Sequence, residues 1–393
     1  MNEYYLDIVP LNNKKHSLSS KSYLYYVRDI YTNEYKLNET INQTLFQTSK
    51  IYCYNKKALL QLLSKNFDNS FIEQYSKNIY DINFLQIVPI KYEFVDIDVY
   101  RVWYNSEHKH NKILNKFIPK IKHLEYLENK YNLFQEFLLT FDRNVLNTEY
   151  VKFYNNTFVT AFTNLEQNSI NYKKKIYSNY NLYNKYSRPT NVSGGINFTA
   201  LSKKNEDLKK FVPKNDIFVE FDYNSYQIHL LHDLLNIEHN GDIYDELCDL
   251  YKIDDRNDAK KKTLLLTFGE SVSNPYPKNE FFVKLFELKN LLKTVDTFIS
   301  PISGKEIELV GNSGDISKIL QIIETEKNVA TIQKILTYLN DFETNLVLYK
   351  YDAFLFDVCY EDGIEIIEGI EQILKENGEV SMKHGKNYYE ICN

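Results

Sequence analysis

An aspartate closing an apolar run occurs twice, in "DIFVEFDYNSYQIHLLHDLL" over 216–235 and in "TNLVLYKYDAFLFDVCY" over 344–360. In the first, a strand-like stretch changes into a helical one at Asp222; in the second, Asp352 sits with Tyr351 at the turn of what reads as a hairpin. A strand fixes a carboxylate while the turn after it leaves room for substrate, so such positions recur as metal sites. One alone is more often a turn or helix cap. Two of them, 352 − 222 = 130 residues apart, could converge across one sheet. Between them, "DDRNDAKKKTLLLTFGES" (254–271) carries Arg256, Lys260, Leu264 and Phe268 at steps of four, so two cations and two apolar groups share one helical stripe. That stripe suits a ligand anionic at one end and flat at the other. On its own it is also what a solvated amphipathic helix gives.

The elements that must hold these groups belong to a chain of 393 residues, long enough for two or three domains with cores. Its 43% hydrophobic and 25% charged content excludes disordered and fibrous classes. Abundant Tyr, Phe, Asn and Lys fit an AT-rich coding sequence of the kind found in many phages and some bacteria. Cys53, Cys248, Cys359 and Cys392 have neither CxxC spacing nor paired histidines nearby, so neither a zinc site nor a disulfide framework is expected. No apolar run approaches the roughly 18 residues of a membrane span, and "MNEYYLDIVPLNNKK" lacks a signal-peptide pattern. The expectation is a chain with no membrane partner, in the cytoplasm, or the host cytoplasm for a viral source.

The net charge of −6 argues against a uniformly basic nucleic-acid coat. It conceals a basic stretch: residues 171–214 hold nine Lys and one Arg against Glu206 and Asp207, or 10 − 2 = +8. That is a local polyanion footprint, with Lys173, Lys174 and Lys175 at its head and tyrosines interleaved.

Boundaries follow pattern changes, because no repeat or low-complexity linker is present. Over 1–105, β-like runs ("YYLDIVP", "SKIYCYN", "YEFVDIDVYRVWY") alternate with helical patches such as "KKALLQLLSKN", which predicts an α/β unit. From 109 to 140 the chain reads as long helix interrupted by Pro119, and between the two Asp-bearing strands it is mainly helical.

These stretches resemble, in order, the motifs of the family A DNA polymerases, which are polymerase I-like enzymes that include short phage-type replicases. "FDYNSYQIHLL" resembles motif A, with Asp222 in the metal-binding position. "RNDAKKKTLLLTFG" resembles motif B, with Arg256, Lys260, Phe268 and Gly269 in place, and "YKYDAFLFDV" resembles motif C around Asp352. "LEQNSINY" (165–172), "YSRPTNVSGGINF" with Arg188, "DIYDELC" and "KILQIIETE" with Gln321 resemble the four accompanying segments. The match spans about 150–393.

The resemblance implies an α+β right-hand polymerase, with a palm sheet and helical fingers and thumb, preceded by a smaller α/β exonuclease-like domain. The boundaries would be 1–105 exonuclease-like, 106–175 thumb, 176–240 palm, 241–315 fingers and 316–393 palm again. It implies template-directed extension of a primer 3′-hydroxyl with dNTPs, on primer–template DNA, by two-metal-ion phosphoryl transfer. Asp222 and Asp352 would hold two Mg²⁺, and Arg256 and Lys260 the triphosphate, with Lys260 protonating the leaving pyrophosphate. Leu264 and Phe268 would lie near the base and Gln227 beside the sugar. Arg188, Gln321, Lys173, Lys174 and Lys175 would contact DNA.

Several positions depart from the family pattern. Ala353 stands where motif C usually has Glu and Tyr351 where it has His; Gln227 replaces the Glu that excludes a ribose 2′-hydroxyl, and His229 an Arg. Leu264 stands in an aromatic place and Phe268 in a Tyr place. At the N-terminus, "YYLDIVP" offers Asp7 but Val9 instead of the exonuclease Glu, while "FVDIDVY" offers Asp96 and Asp98. The implied exonuclease-like domain is degenerate, so no proofreading is expected. Two other readings stay open: a polymerase of altered substrate choice (RNA polymerase, primase-polymerase or reverse transcriptase), and a catalytically silent nucleic-acid-binding protein on the same fold. Replisome partners are not legible in the sequence.

Overall fold

Apolar residues on both sides of "NEYYLDIVP" make strand β1 (Asn2–Pro10) suited to the middle of a sheet, and it lies there. The computed structural model describes residues 2–10, 16–20, 23–86, 99, 101–103, 105, 120–172, 174–184, 186–191, 197–238, 243–269 and 278–393. These form two units. The first comprises Met1–Ser169, Lys175–Tyr183 and Thr190–Phe198; the second comprises Ile170–Lys174, Asn184–Pro189 and Thr199–Asn393.

In the first unit, β1 is joined by β2 (Tyr23–Asp29), β3 (Tyr35–Asn38), β4 (Ser49–Cys53) and β5 (Ile79–Asp81) in the order β3-β2-β1-β4-β5. β1 runs antiparallel to β2 and parallel to β4, and Tyr5, Leu6 and Val9 are all buried. Helix α1 (Lys56–Leu63) starts at Asn55, whose side chain accepts from the Ala58 N–H at 3.0 Å. Helix α2 (Lys120–Thr140) brings Phe134 to 4.6 Å from the Tyr5 ring, between centroids. Helix α3 (Val159–Gln167) carries Glu166, fully buried, which accepts from Lys57 Nζ at 2.6 Å and Gln61 Nε2 at 2.7 Å. A buried carboxylate persists only when paired and hydrogen-bonded in this way.

The alternation in "YEFVDIDVYRVWY" predicts a strand, but Val99, Arg101, Val102 and Trp103 are helical. The reason is tertiary: Trp103 is fully buried and stacks on Phe137 at 6.0 Å, while Val102 is left exposed. A short run with mixed periodicity takes the conformation that buries its largest side chain. Asp96, Asp98 and Pro119 lie outside the described residues.

In the second unit, β6 (Ile217–Tyr223), β7 (Asn345–Lys350), β8 (Ala353–Val358) and β9 (Val380–Gly385) form an antiparallel sheet ordered β7-β8-β6-β9. Every residue of β8 is buried, as its apolar run "AFLFDV" requires. Helices α4 (Tyr226–Leu235), α5 (Ile243–Tyr251), α6 (Arg256–Phe268), α7 (Glu280–Leu292) and α8 (Gly314–Tyr338) follow in chain order between β6 and β7. The 25 residues of α8 bury Ile316, Ile319, Leu320, Ile322 and Ile323, and also Glu324, Glu326 and Asn328. A helix apolar on several sides is an interior one, so those polar groups need internal partners.

Candidate active site

Asp222 and Asp352 meet at one end of the second sheet. β6 and β8 pair so that Asp222 lies opposite Ala353, and the Tyr223 N–H donates to the Asp352 carbonyl at 2.9 Å. β7 and β8 turn on two residues, Tyr351 and Asp352, since Lys350 pairs with Ala353. Tyr351 takes φ 65°, a conformation that strains any residue with a Cβ. Leaving β6, the chain turns through Asn224 and Ser225 (φ 54°) into α4, which sets Gln227 just beyond Asp222. The Asp222 carboxyl is pushed up to about 6, first by burial and then by the charges of Asp352 and Glu220, against Lys350 and Lys383. Two like charges are therefore held close at the end of a rigid sheet, the arrangement the strand-closing aspartates predict.

Helix α8 braces both turns. Glu324, 1% exposed, accepts from Arg188 Nη2 at 2.9 Å through Oε1 and from Gln227 Nε2 at 3.0 Å through Oε2. One turn on, Asn328 accepts from the Tyr226 hydroxyl at 3.1 Å and donates to the Tyr351 carbonyl at 2.6 Å. Arg188 also lies over the Tyr351 ring, 3.7 Å from its centroid, which helps hold the strained turn. Burial, and less strongly the charge of Asp352, raise the Glu324 pKa, while Arg188 and Gln227 lower it. The structure thus unites Asp222, Asp352, Gln227 and Arg188, and adds Glu324 and Asn328, which the sequence motifs do not single out. Their signal is the polar cluster "ETEKN" directly after the largely apolar run "ILQII".

A second group lies on α6. Asp255 caps this helix by accepting from the Asn257 N–H at 2.6 Å. Ala259, Thr263, Leu266 and Thr267 form its buried face, which leaves Arg256 and Lys260 exposed and Leu264 and Phe268 half-buried. The stripe read from the sequence therefore lies off the buried face, its cations exposed and its apolar end partly packed. The buried Tyr244 ring from α5 lies under both cations, 5.2 Å from the Arg256 guanidinium and 5.8 Å from Lys260 Nζ.

Among the other predicted residues, Gln321 sits on α8, its Nε2 donating to Ser317 Oγ at 3.1 Å. Lys175 is exposed on the short strand Lys174–Tyr177. Lys173 and the Lys174 side chain lie outside the described residues. In the basic stretch, Glu206 and Asp207 pair with Lys209 and Lys210 three residues on.

Asp7 of β1 is buried; its carboxylate accepts from the Ile8 N–H at 2.7 Å and forms an ion pair with Lys130 of α2. An ammonium group in contact takes the place a cation would need. The chain is therefore expected not to shorten a mismatched primer 3′ end in Mg²⁺. A gel time course without dNTPs checks this; loss of 3′ nucleotides that vanishes in Asp7→Ala would refute it.

The donor set at the second sheet fits a hard divalent cation. Asp222 and Asp352 are oxygen donors whose mutual repulsion a cation relieves, and the nearby Lys350 ammonium is engaged by Glu220 at 2.5 Å. Among the described residues no cluster of three or more His, Cys, Asp or Glu side chains is placed to hold a metal. An ion here would take one or two carboxylates and complete its shell from substrate phosphates and water, as Mg²⁺ does.

No protein-family model and no curated protein matches the sequence. Among solved structures, the chain is similar to the POL domain of Pol1 from M. smegmatis in complex with DNA primer-template and dNTP. The TM-score is 0.58 over 99% of this chain and 96% of that one. The fold is that of a polymerase domain. At 9% identity the likeness extends to the fold alone, and the chemistry of this polymerase fold rests on its own residues. Among the described residues no helix is long and apolar enough to cross a membrane.

Proposed function

We propose that the chain is a template-directed DNA polymerase of the family A type, extending a primer 3′-hydroxyl with dNTPs without proofreading. The observation that carries this reading is the convergence of Asp222 and Asp352 on adjacent strands of the second sheet, within a polymerase-domain fold. The O3′–Pα bond forms, the bond from Pα to the pyrophosphate oxygen breaks, and the 3′-hydroxyl proton is lost as pyrophosphate leaves. Asp222 and Asp352 would hold two Mg²⁺, which when bound supply charge neutralisation on the attacking and leaving oxygens.

The chain's own residues do the rest. Arg256 and Lys260, exposed on α6 above Tyr244, bind the triphosphate, and Lys260 gives a proton to the departing pyrophosphate. Leu264 and Phe268, half-buried on the same stripe, meet the base, and Gln227 lies against the sugar. Arg188, Gln321 and Lys173 to Lys175 contact the DNA. In this reading the sheet of β6 to β9 is the palm, 241–315 the fingers and 106–175 the thumb, and 1–105 is a degenerate exonuclease-like domain whose Asp7 is neutralised. Ala353 leaves motif C without its usual Glu, so the minimum of two carboxylates has to suffice.

Primer extension in Mg²⁺, with dNTPs or rNTPs on primed DNA or RNA templates, tests the reading. Extension is expected with dNTPs on DNA. No product in any arm removes the polymerase reading, and faster growth with rNTPs or on RNA moves it to a polymerase of altered substrate choice.

A further inference from the structure

We propose that Glu324 is a positioning residue for sugar selection, holding the side-chain amide of Gln227 so that it distinguishes a deoxyribose from a ribose nucleotide. The inference rests on the polymerase reading and on Gln227 lying beside the sugar.

Gln227 is partly exposed, and the terminal torsion of a free glutamine is broad, so untethered it would sample many positions and wall off nothing. Its Nε2 instead donates to Glu324 Oε2 at 3.0 Å. A carboxylate only accepts, so the bond fixes which way the amide lies: NH₂ toward Glu324, carbonyl oxygen away from it. The tether ends on a buried carboxylate, and a charge-assisted bond is among the stronger ones. Glu324 cannot easily swing off, because its other oxygen accepts from Arg188 at 2.9 Å, and Arg188 is stacked at 3.7 Å on the ring of Tyr351. Asn328, one turn further along α8, holds the Tyr351 carbonyl at 2.6 Å. Gln227 is thus anchored through Glu324 to the turn that carries Asp352. The competing account makes Glu324 only the counter-ion of Arg188, with its bond to Gln227 incidental. The accounts differ in whether Glu324 acts on the sugar through Gln227.

The test is the dNTP to rNTP ratio of kcat/KM in single-nucleotide incorporation, for the full chain, Gln227→Ala, Glu324→Ala and the double variant. Glu324→Ala is expected to lower the ratio about tenfold, the scale of discrimination one well-placed group supplies. In the Gln227→Ala background the same substitution should change the ratio by less than about twofold, since the group it positions is gone. A purely structural loss would slow both nucleotides alike and leave the ratio untouched. An unchanged ratio in Glu324→Ala, or an equal fall in both backgrounds, overturns the proposal. Gln227→Ala with a wild-type ratio removes the sugar-side placement of Gln227, and absence of incorporation by the unaltered chain removes the polymerase reading itself. Should Glu324→Ala fail to fold, the near-isosteric Glu324→Gln decides: it leaves one acceptor oxygen for two donors, so the ratio must still fall, and only when Gln227 is present.

Discussion

Replacing Asp222 or Asp352 with alanine should cut primer extension by about three to four orders of magnitude, or roughly 4 to 5.5 kcal/mol of transition-state stabilisation. Primer–template affinity should change by less than about threefold, because charge on the reacting oxygens develops only as the bond is made. Single-turnover extension in parallel with fluorescence-anisotropy binding separates the two effects. Near-normal extension by either variant would sink the assignment of the site. A second readout distinguishes a functional carboxylate from a structural one. Asp222 titrates at about 6 in the fold, above the ordinary 3.8, so the ionised form is disfavoured in the native state. That penalty is full above about pH 6 and disappears as the pH falls to about 3.8. Asp222→Asn, measured without divalent metal at pH 7 to 8, should therefore be more stable than the parent although it is inactive, by an amount on the order of 1 kcal/mol once solvent screening is allowed for, and so have a higher Tm. A lower Tm would mark Asp222 as a packing residue.

Lys260→Ala should slow nucleotide incorporation by about a hundredfold at saturating dNTP, while stability shifts by no more than about 0.5 kcal/mol. The asymmetry follows from its position. Lys260 is exposed on α6, 5.8 Å from the Tyr244 ring, whereas the buried face of that helix is Ala259, Thr263, Leu266 and Thr267. Removing the ammonium group forfeits little packing, so a large kinetic loss can only come from a ligand. Rapid-quench incorporation with thermal melting of the same preparation checks both halves. An unchanged rate would return the Arg256 to Phe268 stripe to the status of a solvated face.

Much of this arrangement is local and was legible in the residues. An apolar run that ends on Asp222, a hairpin turn on Tyr351 and Asp352, and a stripe repeating every four residues along α6 each follow from which neighbours along the chain can share a face. The order of those motifs along the chain also carries the polymerase resemblance. Apart from the two aspartates, what lay beyond the sequence was the pairing of distant groups. Asp7 reads as the remnant of an incomplete exonuclease motif, and only the fold sets Lys130, on a helix far along the chain, against it. The strand pattern that includes Trp103 reads as β until the indole meets Phe137. Arg188 and Gln227 read as substrate contacts, but their shared convergence on Glu324, a carboxylate no motif singles out, appears only in the folded chain. Periodicity reports which face of an element is apolar, a property of adjacent residues. It does not report which polar group a buried carboxylate will find, because that partner is selected by desolvation only after the elements have packed.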